Sequence, residues 1–295
     1  MSQIKFRQLI ESNSLFDSHC HLNANAYDTD RQEIIGLAVD KGVCPIVDIA
    51  VDINSTRLAI DTAKQNPDLV YATAGIDPES FVPGSDLYIE DGSEVYRQFD
   101  GLIPLIENNL DYIVMIGETG LDNYWIRKLG LDEVSVDKSI QYQKELFEKH
   151  IKLAITYNLP LSIHSREAID ECIKLLQIYA TENVWGVFHS ITPEVDDDEY
   201  SFEGKLREIL EMGFYISLNG IITYKSANLL RNTVLKIFKS KVKCEQSKVS
   251  LNDFYNAGFV FETDGPYLAP EGKRGELNQP SNLKTIYEQI LNYLV

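Results

Sequence analysis

The sequence predicts an α/β chain folded as a TIM (β/α)8 barrel, one domain with loop insertions, and three observations lead there. Eight short apolar runs rich in β-branched and aromatic residues read as buried parallel strands. Helical patterns separate them, and strand–helix alternation through eight strands is the signature of such a barrel. The length of 295 residues matches the usual ~250 plus insertions. An open doubly wound sheet is the competing architecture.

In chain order, residues 1–14 (MSQIKFRQLIESNS) read as a short amphipathic lead-in. The strands are expected at LFDSH (15–19), CPIVDIA (44–50), LVYATAG (69–75) and YIVMIGE (112–118). They continue at PLSIH (160–164), WGVFH (185–189), FYISLNG (214–220) and FVFETD (259–264). Helical spacing of apolar residues marks 55–65, capped by Asn54 or Ser55, then 138–157, 166–179 and 203–212. Residues 79–100, 122–137, 191–202 and 231–257 read as long polar loops. Within them, ITPEVDDDEY lacks the glycine and terminal glutamate of an EF-hand, so a solvated acidic loop is expected.

Bulk properties exclude several classes. No run approaches the ~20 apolar residues of a membrane span, and the N-terminus lacks a secretory apolar core. Cys20, Cys44, Cys172 and Cys244 form no CxxC pair, which points to reduced thiols and a cytoplasmic location, with the nucleus also open. A net charge of −18 opposes a tight nucleic-acid binder, because such binding rests on Lys and Arg neutralising phosphates. Bound cations could still meet a phosphate locally. No membrane or obligate protein partner is expected.

The candidate chemistry lies at strand ends. His19 and His21 are two apart on one strand and so share a face, where both imidazoles can reach one ion. Cys20 points the other way, into packing. Glu118, His164, His189 and Asp264 end the fourth, fifth, sixth and eighth runs. In a barrel these ends converge on one mouth, where barrel enzymes place their active sites. His150 falls inside a helix, and a helix-surface role is expected for it. Four imidazoles and two carboxylates exceed one tetrahedral zinc site and suit two divalent ions about 3.5–4 Å apart. Glu118 is the best bridge. Mixed nitrogen and oxygen ligands favour Zn or Mn, with Mg also possible.

At these residues the chain resembles the TatD-type metal-dependent deoxyribonucleases of the amidohydrolase superfamily. The motifs are FDSHCHLN (16–23), GETGLDNYW (117–125), LPLSIHSREA (159–168), GVFHS (186–190) and FETDGPYLAP (261–270), with RGELNQPSNL (274–283) as a closing segment. The resemblance implies hydrolysis of DNA, weakly bound, at strand ends or single strands. It assigns one ion to His19, His21 and Asp264, the second to His164 and His189, and the bridge to Glu118. Asp264 would orient or deprotonate the attacking water, so Asp264 and Glu118 are the catalytic candidates. Asp77 stands where the family carries a histidine; it either meets the water or substrate, or stabilises the turn before Pro78. Arg166 is a candidate phosphate clamp or the partner of an acidic loop. Tyr124 and Trp125 offer a stacking surface or a cover for the mouth. Asn219 and Gly220 are open to substrate approach or packing, and Glu262 by parity faces the same rim. Another ester, amide or small phosphodiester is the alternative substrate, favoured by Asp77, and a silent binding scaffold is the alternative from another class.

Overall fold

The fold starts from strands that carry apolar residues on both faces. In a computed structural model, which describes residues 2–243 and 249–294, β1 (Leu15–Cys20) and β4 (Ile113–Asp122) are buried along their whole lengths. The other strands are β2 (Val43–Asp48), β3 (Val70–Ala74), β5 (Leu161–Arg166), β6 (Gly186–Phe188), β7 (Tyr215–Leu218) and β8 (Phe259–Phe261). All neighbours pair parallel, in the order of the sequence. Beyond β8 the ring closes: Asp264 N–H donates to the His19 carbonyl at 2.8 Å and His21 N–H to that of Gly265 at 2.7 Å. Closure in sequence order makes this a TIM barrel and excludes the open doubly wound sheet.

Helices α1 (Ser2–Glu11), α2 (Arg31–Asp40), α3 (Ile53–Gln65), α4 (Ser93–Asn109), α5 (Asn123–Lys128) and α6 (Glu133–Tyr157) accompany the first half. The second half carries α7 (Ile169–Gln177), α8 (Glu199–Glu211), α9 (Asn228–Lys241), α10 (Leu251–Ala257) and α11 (Leu283–Leu294). The lead-in helix α1 is amphipathic as expected and buries Phe6, Leu9 and Ile10.

Several expectations are corrected. The stretches read as loops hold the starts of α4, α6 and α8, together with α5, α10 and most of α9. First turns are polar because capping residues and acidic side chains stabilise them, so they resemble loops in sequence. Asp122, Asp132 and Asp198 each accept a backbone N–H from the residue three along. Neither Asn54 nor Ser55 caps α3: Asp52 does, accepting from Ser55 N–H at 2.6 Å. In the acidic loop, Glu194 accepts from Ile169 N–H at 3.0 Å and pairs with Lys205, so it ties α7 to α8 instead of standing in solvent. The helix expected at 166–179 starts later, because Arg166 still belongs to β5 and Glu167 takes a left-handed φ of 53°.

His150 is not on the surface. It is fully buried, its Nδ1–H donates to the Leu146 carbonyl at 2.9 Å, and Ile76 N–H donates to its Nε2 at 3.1 Å. Burial holds its pKa down at about 4, so the ring is neutral and serves as both donor and acceptor. His150→Ala is expected to cost about 2–4 kcal/mol of stability in urea unfolding, from the cavity and the orphaned Ile76 amide. Cys20 and Cys172 are buried free thiols, as packing residues should be; Cys244 lies outside the described residues. Among the described residues no helix is long and apolar enough to cross a membrane.

Candidate metal centre

Period-two alternation in β1, and backbone bonds just past it, aim His19 and His21 into the mouth. Their Nε2 atoms lie 3.7 Å and 3.4 Å from Asp264 Oδ1, and each is 3.7 Å from Glu118 Oε2. On the other side, His164 Nδ1 and His189 Nε2 each lie 2.9 Å from Glu118 Oε1. The two oxygens of one carboxylate thus divide between two pairs of imidazoles. The structure brings all six candidate ligands together.

Three of the four rings are held by their far nitrogen, which leaves the near one to face the centre, whereas His189 Nδ1 has no hydrogen-bond partner. His21 Nδ1–H donates to the Ile49 carbonyl at 3.2 Å, and Ser162 Oγ lies 3.2 Å from His19 Nδ1. Asp122 Oδ2 accepts from His164 Nε2–H at 2.9 Å. Glu262 stands 3.9 Å from His189 Nδ1 and is itself held by Ser190 N–H, Asn219 and Ser217. Metal-binding histidines are oriented in this way by carboxylates and carbonyls behind them.

A cation fits this chemistry. His19 Nε2 is a buried polar atom without a hydrogen-bond partner, aimed between Glu118 and Asp264, and such an orphan is costly unless something coordinates it. The triads His19–His21–Asp264 and Glu118–His164–His189 each gather their donor atoms within 4.8 Å of one another.

The electrostatics agree. Burial lowers the pKa of His19, and the charge of nearby His189 lowers it further. Burial also pulls on His21, but the hydrogen bond of Asp264 and the charge of Glu118 outweigh it and raise the ring to about 9. His164 moves up against burial through Asp122 and Glu118, and His189 through Glu118. Glu118 is pulled well below the carboxylate range, its burial outweighed by His189 and His164. Protons here occupy the positions a cation would take.

Asp264 takes a left-handed φ of 55°, an unusual state for a residue other than glycine. Its amide is fixed to His19, Tyr267 N–H returns to its carbonyl at 2.9 Å, and Asn278 Nδ2–H donates to the preceding carbonyl of Thr263 at 2.8 Å. The closing Asn-x-Pro segment therefore braces the turn that presents Asp264. Gly117 is required beside Glu118, because its φ is +144° and a Cβ would sit 2.6 Å from the Ser162 carbonyl oxygen. At Gly220 a Cβ would meet the Leu268 carbonyl oxygen at 2.0 Å, which gives this glycine a packing role; Asn219 braces Glu262.

Among the substrate candidates, Arg166 stacks on Tyr124 with its guanidinium carbon 3.7 Å from the ring centre, and the neighbouring acid Glu167 pairs with Arg127 instead. Asp77 caps the 310 turn Pro78–Phe81, accepting from Ser80 N–H at 3.1 Å. Burial, then Glu118 and Glu79, push its carboxyl to about 7, so it also lies within the field of the site.

Sequence reasoning missed Asp122 and Glu79. Strand β4 runs four residues past Glu118, and residues 118, 120 and 122 share a face. Continued alternation through GETGLD was the available signal for Asp122. Asp122→Asn is expected to weaken ion binding about 10- to 100-fold, measured by titration against a competing chelator, because His164 loses its orienting carboxylate.

A family model described as TatD related DNase matches residues 16–294. The chain belongs to the TatD family. It is similar to the uncharacterized metal-dependent hydrolase YabD of Bacillus subtilis (strain 168), at 31% identity across 94% of this chain and 89% of the relative. It is 25% identical to human Deoxyribonuclease TATDN3 across 94% of this chain and 86% of that protein. The crystal structure of YJJV, a TatD homologue from Escherichia coli, matches its fold with a TM-score of 0.71 at 21% identity, covering 95% of this chain and 90% of that one. This TatD-family chain is a metal-dependent hydrolase that uses divalent metal.

Proposed function

We propose that the protein is a deoxyribonuclease that hydrolyses phosphodiester bonds with a pair of divalent ions, Zn, Mn or Mg. The observation that carries the reading is Glu118, whose two oxygens face two separate histidine pairs at one barrel mouth. The human relative named as a deoxyribonuclease supports DNA as the substrate.

In this reading His19, His21 and Asp264 would hold one ion, His164 and His189 would hold the other, and Glu118 would serve both. Bound ions of this kind supply Lewis acidity that lowers the pKa of water and neutralises charge growing on phosphoryl oxygens. Asp264 aligns the attacking water and accepts its proton. Asp122 holds the His164 ring in place, and the charge of Glu262 faces His189 Nδ1 at 3.9 Å. Arg166, its face occupied by Tyr124, keeps its N–H edge for a phosphate oxygen, and Tyr124 with Trp125 offers a surface for a base.

A second reading, hydrolysis of another ester, amide or small phosphodiester at the same centre, is favoured by Asp77, because a carboxylate near Glu118 repels a phosphate chain. The test is cleavage of single-stranded and 3′-overhang DNA by Mg-, Mn- or Zn-loaded protein, against small esters and amides, with and without chelator. Chelator-sensitive DNA cleavage is expected; none with any of the three metals would sink the nuclease reading.

A further inference from the structure

The turn after β3 places two carboxylates, Asp77 and Glu79, beside the His164 half of the centre. Donor atoms of Glu79, Asp122 and His164 lie within 4.8 Å of one another. Asp77 is fixed by Ser80, whose N–H and hydroxyl donate to one carboxylate oxygen at 3.1 and 2.8 Å. Both residues are half-buried, and the charges of Glu118 and His164 reach both carboxylates. The charges of His164 and, less strongly, Arg166 offset part of that on Glu79, but Asp77, Glu79 and Asp122 outnumber them.

The balance of charge gives these residues a consequence. In the proposed ligand set, Glu118 and Asp264 offset half the charge of two divalent ions. One phosphodiester and a hydroxide nucleophile, with one negative charge each, match the remainder. A further phosphate held next to the turn would meet uncompensated carboxylates at short range, where little water screens them. A neutral sugar or base would not.

We propose that Asp77 and Glu79 form an anionic wall that excludes a second phosphate from the β3 side of the mouth. The site then takes phosphodiesters whose group on that side is uncharged, such as a small diester or a terminal nucleoside. This rests on the phosphodiester reading above, and it makes two residues outside the ligand set the determinants of specificity.

The test measures binding as well as turnover. Thymidine 5′-monophosphate and thymidine 3′,5′-bisphosphate are titrated calorimetrically into Mn-loaded protein at pH 8. A doubly anionic extension ordinarily strengthens binding to a cationic site; here the monophosphate is expected to bind about 10-fold more tightly. Glu79→Gln should shrink that ratio at least about threefold, and the pair Asp77→Asn with Glu79→Gln should bring it near parity. Glu79 makes no cap, so E79Q tests the wall even if D77N disturbs the turn, and thermal unfolding verifies both folds. Equal or tighter bisphosphate binding in the unmodified protein, a ratio unchanged in the variants, or no binding of either nucleotide overturns the wall. In parallel, the p-nitrophenyl ester of thymidine 5′-phosphate is assayed with and without a 3′-phosphate. Turnover with a flat binding ratio retains the phosphodiester reading and rejects the wall. A preserved ratio without turnover rejects that reading and retains the wall as a feature of phosphate binding.

Discussion

Asp264→Asn is expected to lower kcat by about 10²- to 10⁴-fold, the range a positioned general base contributes, while the protein keeps most of its bound metal. The amide oxygen can still coordinate, and His19, His21 and Glu118 remain. The backbone should survive as well, since Asn tolerates the left-handed region better than most residues, and the φ of 55° is held by amide bonds to His19 and from Tyr267. The substitution therefore separates metal binding from proton transfer. Metal analysis beside steady-state kinetics checks it. Unchanged kcat would remove Asp264 from its assigned role, whereas complete loss of metal would recast it as chiefly a ligand.

The second large effect is a reversal of pH dependence between chelated and metal-loaded protein. Without ions, His21 is raised to about 9, and His164 and His189 are raised as well. A base whose folded pKa lies above its unfolded value stabilises the fold most below the unfolded value, near 6.5. That stability is lost as pH rises through the folded value. For His21 the full swing is about 3 kcal/mol, so chelated protein should melt lower at pH 9 than at pH 6.5. With ions present the imidazoles must be neutral, and protons compete with the metal. Loaded protein should therefore gain stability over the same interval. At pH 7 an ion at 100 times its Kd would add about 2.7 kcal/mol, and the gap should widen with pH. Thermal unfolding at pH 6.5 and 9, with metal or with chelator, decides it. Parallel slopes would mean that the raised histidines do not face the ion positions. Calorimetry in buffers of different ionisation enthalpy should also detect protons released on metal uptake.

Much of this was readable in one dimension because strand alternation is local. Residues two apart on a strand share a face whatever the rest of the chain does, so HCH at 19–21 marks a pair of candidate ligands and the burial of Cys20. The strands themselves announced their positions, since buried parallel strands are apolar on both faces. Helix starts were less legible. Asp132, Asp198 and Ser250 open helices with polar turns, and polar turns carry no apolar period. His150 is illegible in sequence for a related reason. An isolated histidine in a helix shows no sign of its surroundings, and only Ile76, reaching it from the end of β3, turns it into a buried neutral ring.

The same boundary runs through the candidate metal centre. Sequence alone determined which six side chains could bind cations, because ligand chemistry is a property of residue type and strand ends in a barrel converge by construction. Tertiary structure decided how they are shared: Glu118 turns one oxygen to His19 and His21 and the other to His164 and His189. It also decided what stands behind them, with Asp122 on His164, Glu262 beside His189, Asn278 bracing the Asp264 turn, and Glu79 close to Asp122 and His164. Those pairings join residues far apart in the chain, and their distances depend on how the barrel closes, which no local period encodes.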